Sequence, residues 1–401
     1  MNIFVAILGL AFLILIHEAG HFFAAIWVGM RPRRFYIGFP PALAKTTRNG
    51  IEYGIGVVPL GGYVKIPGMH RPAPSDADVH FGRALQERPE LAAPLQRLKR
   101  ALASGDDAAA EAALEELMRL AGDDPPPGFS RGIQEILDGL SPQAYWRQDT
   151  WRRIVAIIAG PATNFFLAVV LFTCLFLAGG GKATNTVGSV VAKTPAAAVG
   201  LKPGDEVVTV NGKPLGPTDI STAISGSKGK PVTLLVRRGP TFVTLGPVRP
   251  KVLDDTDRLR LGFSLRGEQL GLAASAWQSL KLTGVVTKEI GKSLGRLVHG
   301  EGRKDISSPV GITQTLDRSA DQGIQEYLWV LGLISLSLAL MNMLPLLPLD
   351  GGHIAFSIVE GIRGRAVARE VYERVSVVGI ALVLFLFVIG ISNDVGRLGG
   401  G

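Results

Sequence analysis

The chain has 401 residues, 47% of them hydrophobic and 19% charged, which excludes a disordered or fibrous protein and leaves room for several membrane spans beside one or two compact soluble regions. A formal net charge of +8 is spread along the chain in small clusters flanking the hydrophobic runs, so it predicts membrane topology rather than a nucleic-acid partner. The single cysteine, Cys174, excludes a disulfide framework and any multi-cysteine metal site, and is expected simply to pack within its apolar stretch.

The first element is an apolar run, about residues 3–28, long enough to cross a bilayer. It contains His17, Glu18 and His21 in an H-E-x-x-H pattern. On a helix, positions four apart share a face, so the two imidazoles can be presented to one Zn²⁺ while Glu18 stands beside them as general base. Two helical histidines are often satisfied core residues, but three ionisable groups at membrane depth are costly and call for a function. No basic residue precedes the run, so it is not read as a cleavable signal peptide. Next come Gly61 and Gly62, in a segment that resembles a membrane-associated β-hairpin loop of a known protease family, which implies either a template whose strand edge pairs with an extended substrate or a seal against lipid.

The stretch 70–145 carries helical spacing between Arg83 and Leu120: Leu95, Leu98 and Leu102, then Ala109, Ala113, Leu117 and Leu120, broken at Gly105. This predicts a helical hairpin, with Pro125 to Pro127 as a stiff linker after it. It is expected to bind a regulator or substrate tail, or to act as a solvated spacer. Further spans are predicted at about 154–179, 326–346 and 375–392. Arg31, Arg33 and Arg34 follow the first span, Arg147, Arg152 and Arg153 precede the second, and Arg363, Arg365, Arg369 and Arg374 separate the last two. By the positive-inside rule these connections are cytoplasmic, which puts both termini and residues 180–325 outside.

Within that external region, Val187 to Leu215 reads as strand, short Pro-Ala-Ala helix, Gly-Leu and Pro-Gly-Asp turns, and a strand ending in Asn-Gly. This resembles a PDZ domain of the bacterial protease type, which implies binding of extended peptides or free C-termini by strand addition; a generic small β domain is the other reading. An amphipathic helix over about 272–298 sets Leu280, Leu282, Val285, Ile290, Leu294 and Leu297 beside Lys281, Lys288, Lys292 and Arg296, and is expected along the outer membrane surface. At the end of the third span, Asn342-Met-Leu-Pro-Leu-Leu-Pro-Leu-Asp350-Gly-Gly-His353 must interrupt its helix, and backbone freed there has to be buried or line a cavity. Asp350 and His353 are both candidate third ligands, and Asn342 is placed to bond a peptide backbone or hold a ligand.

Taken together, the H-E-x-x-H, the Asn-x-x-Pro and Leu-Asp-Gly segment and the PDZ-like region resemble the bacterial membrane-bound branch of the site-2 protease family. Tyr36-Ile-Gly-Phe to Val58-Pro-Leu-Gly-Gly-Tyr-Val-Lys65, Ala159-Gly-Pro-Ala-Thr-Asn164 and Ser308-Pro-Val-Gly-Ile312 are similar to further family segments, so nearly the whole chain except about 70–145 is covered. Two spacings depart from the family: Pro348 follows Pro345 by three residues, and Gly38-Phe-Pro-Pro41 replaces a Gly-Phe-Gly-Pro turn.

The resemblance implies an α-helical integral membrane protein of four transmembrane helices with a membrane-associated β-hairpin and an inserted extracytoplasmic PDZ-like, mixed α/β domain. The implied organisation is first span and hairpin over 1–69, a cytoplasmic helical insertion over 70–145, the second span over 146–182, the PDZ-like domain over 183–266, an amphipathic surface segment over 267–325 and the last two spans over 326–401. It further implies a zinc endopeptidase of the bacterial inner membrane, active toward the cytoplasmic side, with His17, His21 and Asp350 as Zn²⁺ ligands, Glu18 as base and Asn342 positioning substrate. Implied partners are transmembrane substrates such as anti-sigma factors or remnant signal peptides, a peptide at the PDZ-like domain, and the bilayer. A non-proteolytic PDZ-containing scaffold and a metal-ion transporter are the alternatives. The base Glu18 argues against the first, and the lack of ionisable residues between Ile154 and Leu177 against the second.

Overall fold

The computed structural model describes residues 3–181, 183–253, 259–299, 301–303, 306–367 and 369–399. Four helices among them are long and apolar enough to cross a membrane: α1 (Ile3–Trp27), α6 (Thr150–Leu177), α11 (Ile324–Asn342) and most of α13 (Arg369–Gly399). The chain divides into two compact units, residues 1–167, 287–321 and 333–401, and residues 168–286 and 322–332.

In the first unit, α1 leads into β1 (Arg34–Arg48) and β2 (Ile51–Lys65). This hairpin curls so far that Arg34 to Ile37 pair with Glu52 to Ile55 on one side and with Gly62 to Lys65 on the other. Among the described residues the last stretch of β2 pairs along one edge only, which makes it an outer strand. At the far end of the hairpin Phe39, Leu43, Ile55, Val57 and Val58 are exposed, an apolar patch suited to contact with a bilayer.

The insertion then forms α2 (Pro74–Glu87), α3 (Ala92–Ser104), α4 (Asp107–Ala121) and α5 (Phe129–Leu140). The hairpin predicted over 83–120 is thus only its middle. α2 and α5 pack onto α3 and α4 around a closed core that includes Phe81, Leu91, Leu98, Leu114, Leu117, Phe129 and Ile136. The predicted stripe on α4 is also corrected: Ala109 and Leu120 are exposed, and Ala110, Ala113, Leu114, Leu117 and Ala121 face inward. The reason is that α2 and α5 cover a face wider than a two-helix seam. Asp106 caps α4 by accepting from Ala109 N–H at 3.0 Å.

The second unit holds an antiparallel sheet. After α6 come β3 (Ala183–Val190), α7 (Pro195–Ala198), β4 (Glu206–Val210), β5 (Lys213–Pro214), α8 (Pro217–Ser225), β6 (Val232–Arg238), β7 (Thr241–Val248), β8 (Lys251–Val252), β9 (Leu259–Arg260) and β10 (Phe263–Gly267). The strand order is β10-β3-β4-β6-β7, with β5 on β4. Its core includes Val187, Val207, Val210, Ile220, Leu234 and Val236. Asp205, 1% exposed, accepts both Nε and Nη2 of Arg238 at 2.7 Å and the Lys202 N–H at 2.8 Å.

Helix α9 (Leu272–Val298) follows. In its first half Ser275, Ser279 and Thr283 are buried, whereas Leu272, Trp277, Leu280 and Val285 are exposed. The Ser279 hydroxyl lies 2.9 Å from that of Thr173 on α6. Small hydroxyl residues turned inward and apolar ones outward are the packing of a helix whose outer solvent is lipid. Cys174 is likewise exposed rather than packed, because no described residue covers that face of α6.

Helices α10 (Pro309–Gln322), α11, α12 (Asp350–Arg363) and α13 complete the chain. α11 ends at Asn342, short of the predicted 346, since the Pro345 ring would collide with the Met341 carbonyl of a continuing helix. α13 runs well beyond 375–392. Near its end Asp394 accepts the Ser308 N–H at 2.8 Å and the Gly311 N–H at 3.2 Å, capping the start of α10.

Arg238 holds the Asp205 carboxylate below its ordinary range, assisted by the Lys202 N–H and against the effect of burial. A carboxylate with a depressed native pKa contributes stability above its unfolded value, about 3.9, which is lost as pH falls through the native value. Asp205→Asn is therefore expected to destabilise the β domain at neutral pH by about 1.5–3 kcal/mol. The difference from wild type should shrink as pH falls below about 4, read by hydrogen exchange over residues 183–253 of the full-length protein.

Candidate active site

Helix α1 faces two ways. Phe4, Leu8, Phe23 and Trp27 are exposed, Trp27 by 77%, while His17 and His21 are only 8% and 7% exposed. Apolar groups outward and imidazoles inward is the arrangement a lipid solvent selects. The buried face lies against α6, and glycines set how closely. A Cβ at Gly20 would meet the Ala159 carbonyl oxygen and the Thr163 hydroxyl, and one at Gly160 would run into the His21 ring. Thr163 donates to the Ile16 carbonyl at 3.1 Å.

α6 also orients both imidazoles. His21 Nδ1 lies 3.0 Å from the Ala156 carbonyl oxygen and so carries the proton, leaving an Nε2 lone pair. His17 Nδ1 lies 3.4 Å from the side-chain amide of Asn164, a fully buried residue whose Oδ1 has no other partner. The two ends of an amide are interchangeable by shape, and turned by half a rotation the oxygen accepts the His17 Nδ1–H. Ser335 on α11 fixes this segment by donating to the Asn164 backbone carbonyl at 2.8 Å.

The third member comes from the broken segment after α11. Residues 343–349 fold back over the start of α12, which needs Gly351 and Gly352: a Cβ on either would strike the backbone of Met343, Leu344 or Leu347. Gly379 on α13 likewise admits the Leu347 carbonyl. The fold-back sets Asp350 Oδ2 3.2 Å from His17 Nε2 and 3.3 Å from His21 Nε2, and the two nitrogens are 3.3 Å apart. α12 is held on the same face by Ser357 to the Tyr145 hydroxyl at 2.9 Å and Glu360 to Arg153 at 2.5 Å.

Three lone pairs converging in this way repel one another unless a cation sits among them, and Asp350 Oδ2 is buried without a hydrogen-bond donor. A tetrahedral ion with bonds of about 2.0 Å has ligands about 3.3 Å apart, so the donor set fits Zn²⁺ with a fourth position left over. Among the described residues this is the one group of histidine and carboxylate side chains so arranged. His353, the competing candidate, instead pairs its Nδ1 with the Tyr372 hydroxyl at 2.6 Å.

Glu18 lies against the outer strand of the hairpin. A Cβ on Gly62 would come within 2.9 Å of Glu18 Cγ and 2.8 Å of the Tyr36 carbonyl oxygen. Gly61 leaves room for the Phe39 ring. Asn342 is not brought to the group: its amide donates to the Leu338 carbonyl at 3.0 Å, finishing α11. Residues missed as individuals in the sequence are Ala156, Gly160, Asn164 and Gly379. The run Ala159 to Asn164 contains two of them, but nothing local says which residue serves which histidine.

The model of Peptidase family M50 matches residues 5–386. Zinc metalloprotease RasP of Bacillus licheniformis is 31% identical over 410 residues, covering 96% of this chain and 96% of that protein. Regulator of sigma-W protease RasP of Bacillus subtilis is 30% identical over 409 residues, again 96% of each. Zinc metalloprotease RasP of Geobacillus kaustophilus is 29% identical over 406 residues, 96% of this chain and 95% of that protein.

Gly160→Val is expected to displace the His21 ring and to lower bound zinc well below one equivalent, read by elemental analysis of purified protein. Full zinc retention with unchanged affinity would remove the role given to the α1 and α6 contact.

Proposed function

The chain belongs to peptidase family M50 and is a multi-pass membrane zinc metalloprotease, and from that premise we propose how its own residues carry out the reaction. The observation that carries the reading is the triangle of His17 Nε2, His21 Nε2 and Asp350 Oδ2, with sides of 3.2–3.3 Å, on the buried face of a helix whose other face is apolar and exposed. His17, His21 and Asp350 would hold Zn²⁺. When bound, the ion supplies Lewis acidity to the scissile carbonyl and to the attacking water.

Glu18 takes the proton from that water on its carboxylate and hands it to the leaving amine nitrogen. A substrate helix shields its own peptide bonds with internal hydrogen bonds, so it must be drawn out before attack. The unpaired edge of Gly62 to Lys65, lying beside Glu18, supports its use as the strand against which the extended segment pairs. Gly61 and Gly62 keep that edge close to Glu18 by lacking side chains. Asn342, at the end of α11, is assigned to substrate positioning, which requires its amide to exchange the Leu338 carbonyl for a substrate backbone.

The positive-inside pattern supports a site toward the cytoplasmic face of a bacterial inner membrane, with the β domain and both termini outside. In that domain β10 is an edge strand, and we assign the PDZ-like groove to this edge, where an extended peptide or C-terminus would add as a further strand. The name of the Bacillus subtilis relative speaks of regulation of sigma-W, and we assign membrane-spanning anti-sigma factors, the class implied by the family resemblance, as substrates, with remnant signal peptides as a second membrane-spanning class.

Glu18→Gln is expected to keep its zinc and to lower cleavage of a membrane-spanning test substrate by roughly a hundredfold or more, followed by gel mobility of the products in proteoliposomes. Equal cleavage by wild type and variant would overturn the assignment of Glu18 as base.

A further inference from the structure

The helical insertion over Pro74 to Leu140 takes no part in the site above, yet it is fixed to the hairpin sheet. Its closed core makes it a folded body rather than a spacer. α5 is its contact face. Arg33, just before β1, clasps Asp138 through Nε at 3.1 Å and Nη2 at 2.5 Å, and Lys65 at the end of β2 donates to Glu135 at 2.7 Å. After α5 the chain returns to the sheet side, where the Tyr145 and Trp146 N–H groups bond the Pro67 and Gly68 carbonyls at 2.9 and 3.0 Å. Trp146 lies between the guanidinium groups of Arg71 and Arg147.

Between insertion and sheet lies a cleft of about 850 Å³ whose lining includes Arg34, Tyr36, Lys45, Tyr63, Lys65 and Arg131. One wall is the end of β2, the same strand whose unpaired edge passes Glu18 at Gly62. That strand therefore joins the neighbourhood of Glu18 to the cleft.

Hydrogen-bonding capacity in the cleft is lopsided. Glu52 accepts from the Tyr36 hydroxyl at 2.8 Å and faces Arg34 at 3.3 Å and Lys45 at 3.4 Å. Glu135 faces Lys65, Arg131 and His80 at 2.7, 3.2 and 3.4 Å. Asp138 takes Gln134 besides Arg33. The Tyr36 hydroxyl above all keeps Glu52 below its ordinary value. Burial acts to raise Glu135, but Lys65 and Arg131 outweigh it and keep it low as well. Glu52 and Glu135 are therefore ionised and engaged. Asp76, the remaining carboxylate of the lining, accepts the Ala73 N–H at 2.8 Å, while Arg34, Arg131 and Lys45 hold more N–H donors than the bonds just named consume.

We propose that this cleft is an exosite for the part of the substrate on the cytoplasmic side of the scissile bond, selecting an extended segment that carries acidic side chains. The proposal rests on the endopeptidase reading above and adds a specificity to it. Arg131 and Lys45, whose side chains are 65% and 63% exposed, face the acidic groups from opposite walls. Tyr63, ring-stacked on Tyr36 at 5.2 Å, provides a flat surface for the backbone between them.

The test uses full-length protein in liposomes and one membrane-spanning substrate with three cytoplasmic flanks, rich in Glu, Ser or Lys. Binding is measured on the Glu18→Gln protein by anisotropy of a fluorescent label on the substrate, and cleavage on wild type. The Glu-rich flank is expected to bind about three- to tenfold more tightly than the Ser-rich one, the range two exposed charge pairs supply. It should lower KM by the same factor with kcat unchanged. Arg131→Glu combined with Lys45→Glu, both at exposed positions, should abolish or reverse that order while leaving cleavage of the Ser-flanked substrate unchanged. Equal binding of all three flanks, or an order the double variant does not alter, would overturn the exosite. Flank-selective binding without cleavage of any substrate by wild type would overturn the endopeptidase reading and leave the cleft assignment standing.

Discussion

Everything in this structure turns on keeping two imidazoles and two carboxylates at membrane depth. Such groups are tolerated in lipid only when their polar atoms are engaged by one another, by backbone or by an ion. α1 alone cannot meet that condition, since its other face is apolar and exposed. It is met by close approach of α6, which brings the Ala156 carbonyl to His21 and the Asn164 amide to His17. Gly20 and Gly160 permit that approach. With no aqueous hydrophobic drive between helices in a bilayer, small residues and polar contacts of this kind are what hold them together.

The third ligand imposes the second constraint. Asp350 has to reach the same point from a segment that cannot be helical, because Pro345 and Pro348 lack donors and their rings obstruct a helix. The loose backbone is packed by glycine: Gly351 and Gly352 beneath the loop, Gly379 beside it. On α12, Ser357 and Glu360 tie the helix to Tyr145 and Arg153. The same logic explains α9, where hydroxyl residues turn inward and a tryptophan and leucines turn outward.

The hairpin sheet links the buried site to the aqueous side. Its apolar far end, its unpaired outer strand by Glu18 and its charged contacts to α5 lie along one continuous element. The insertion, which has its own core, turns the end of that strand into one wall of a polar cleft.

His17, Glu18 and His21 were legible in the sequence because helix periodicity is a local property, and four-residue spacing within an apolar run places both rings on one face whatever surrounds them. The four spans were legible for the same reason, since a lipid solvent demands unbroken apolar length. Asp350 emerged only through resemblance, as spacing alone left His353 open. The helix ends at Asn342 and Gly399, the partners of the insertion hairpin and the buried hydroxyl face of α9 depended on contacts between distant segments. Periodicity shows that a helix has two faces, but which face meets protein and which meets lipid is decided by what packs against it. Gly160 illustrates the limit: its sequence neighbours mark a helix, and its importance comes from the His21 ring that packs against it from α1.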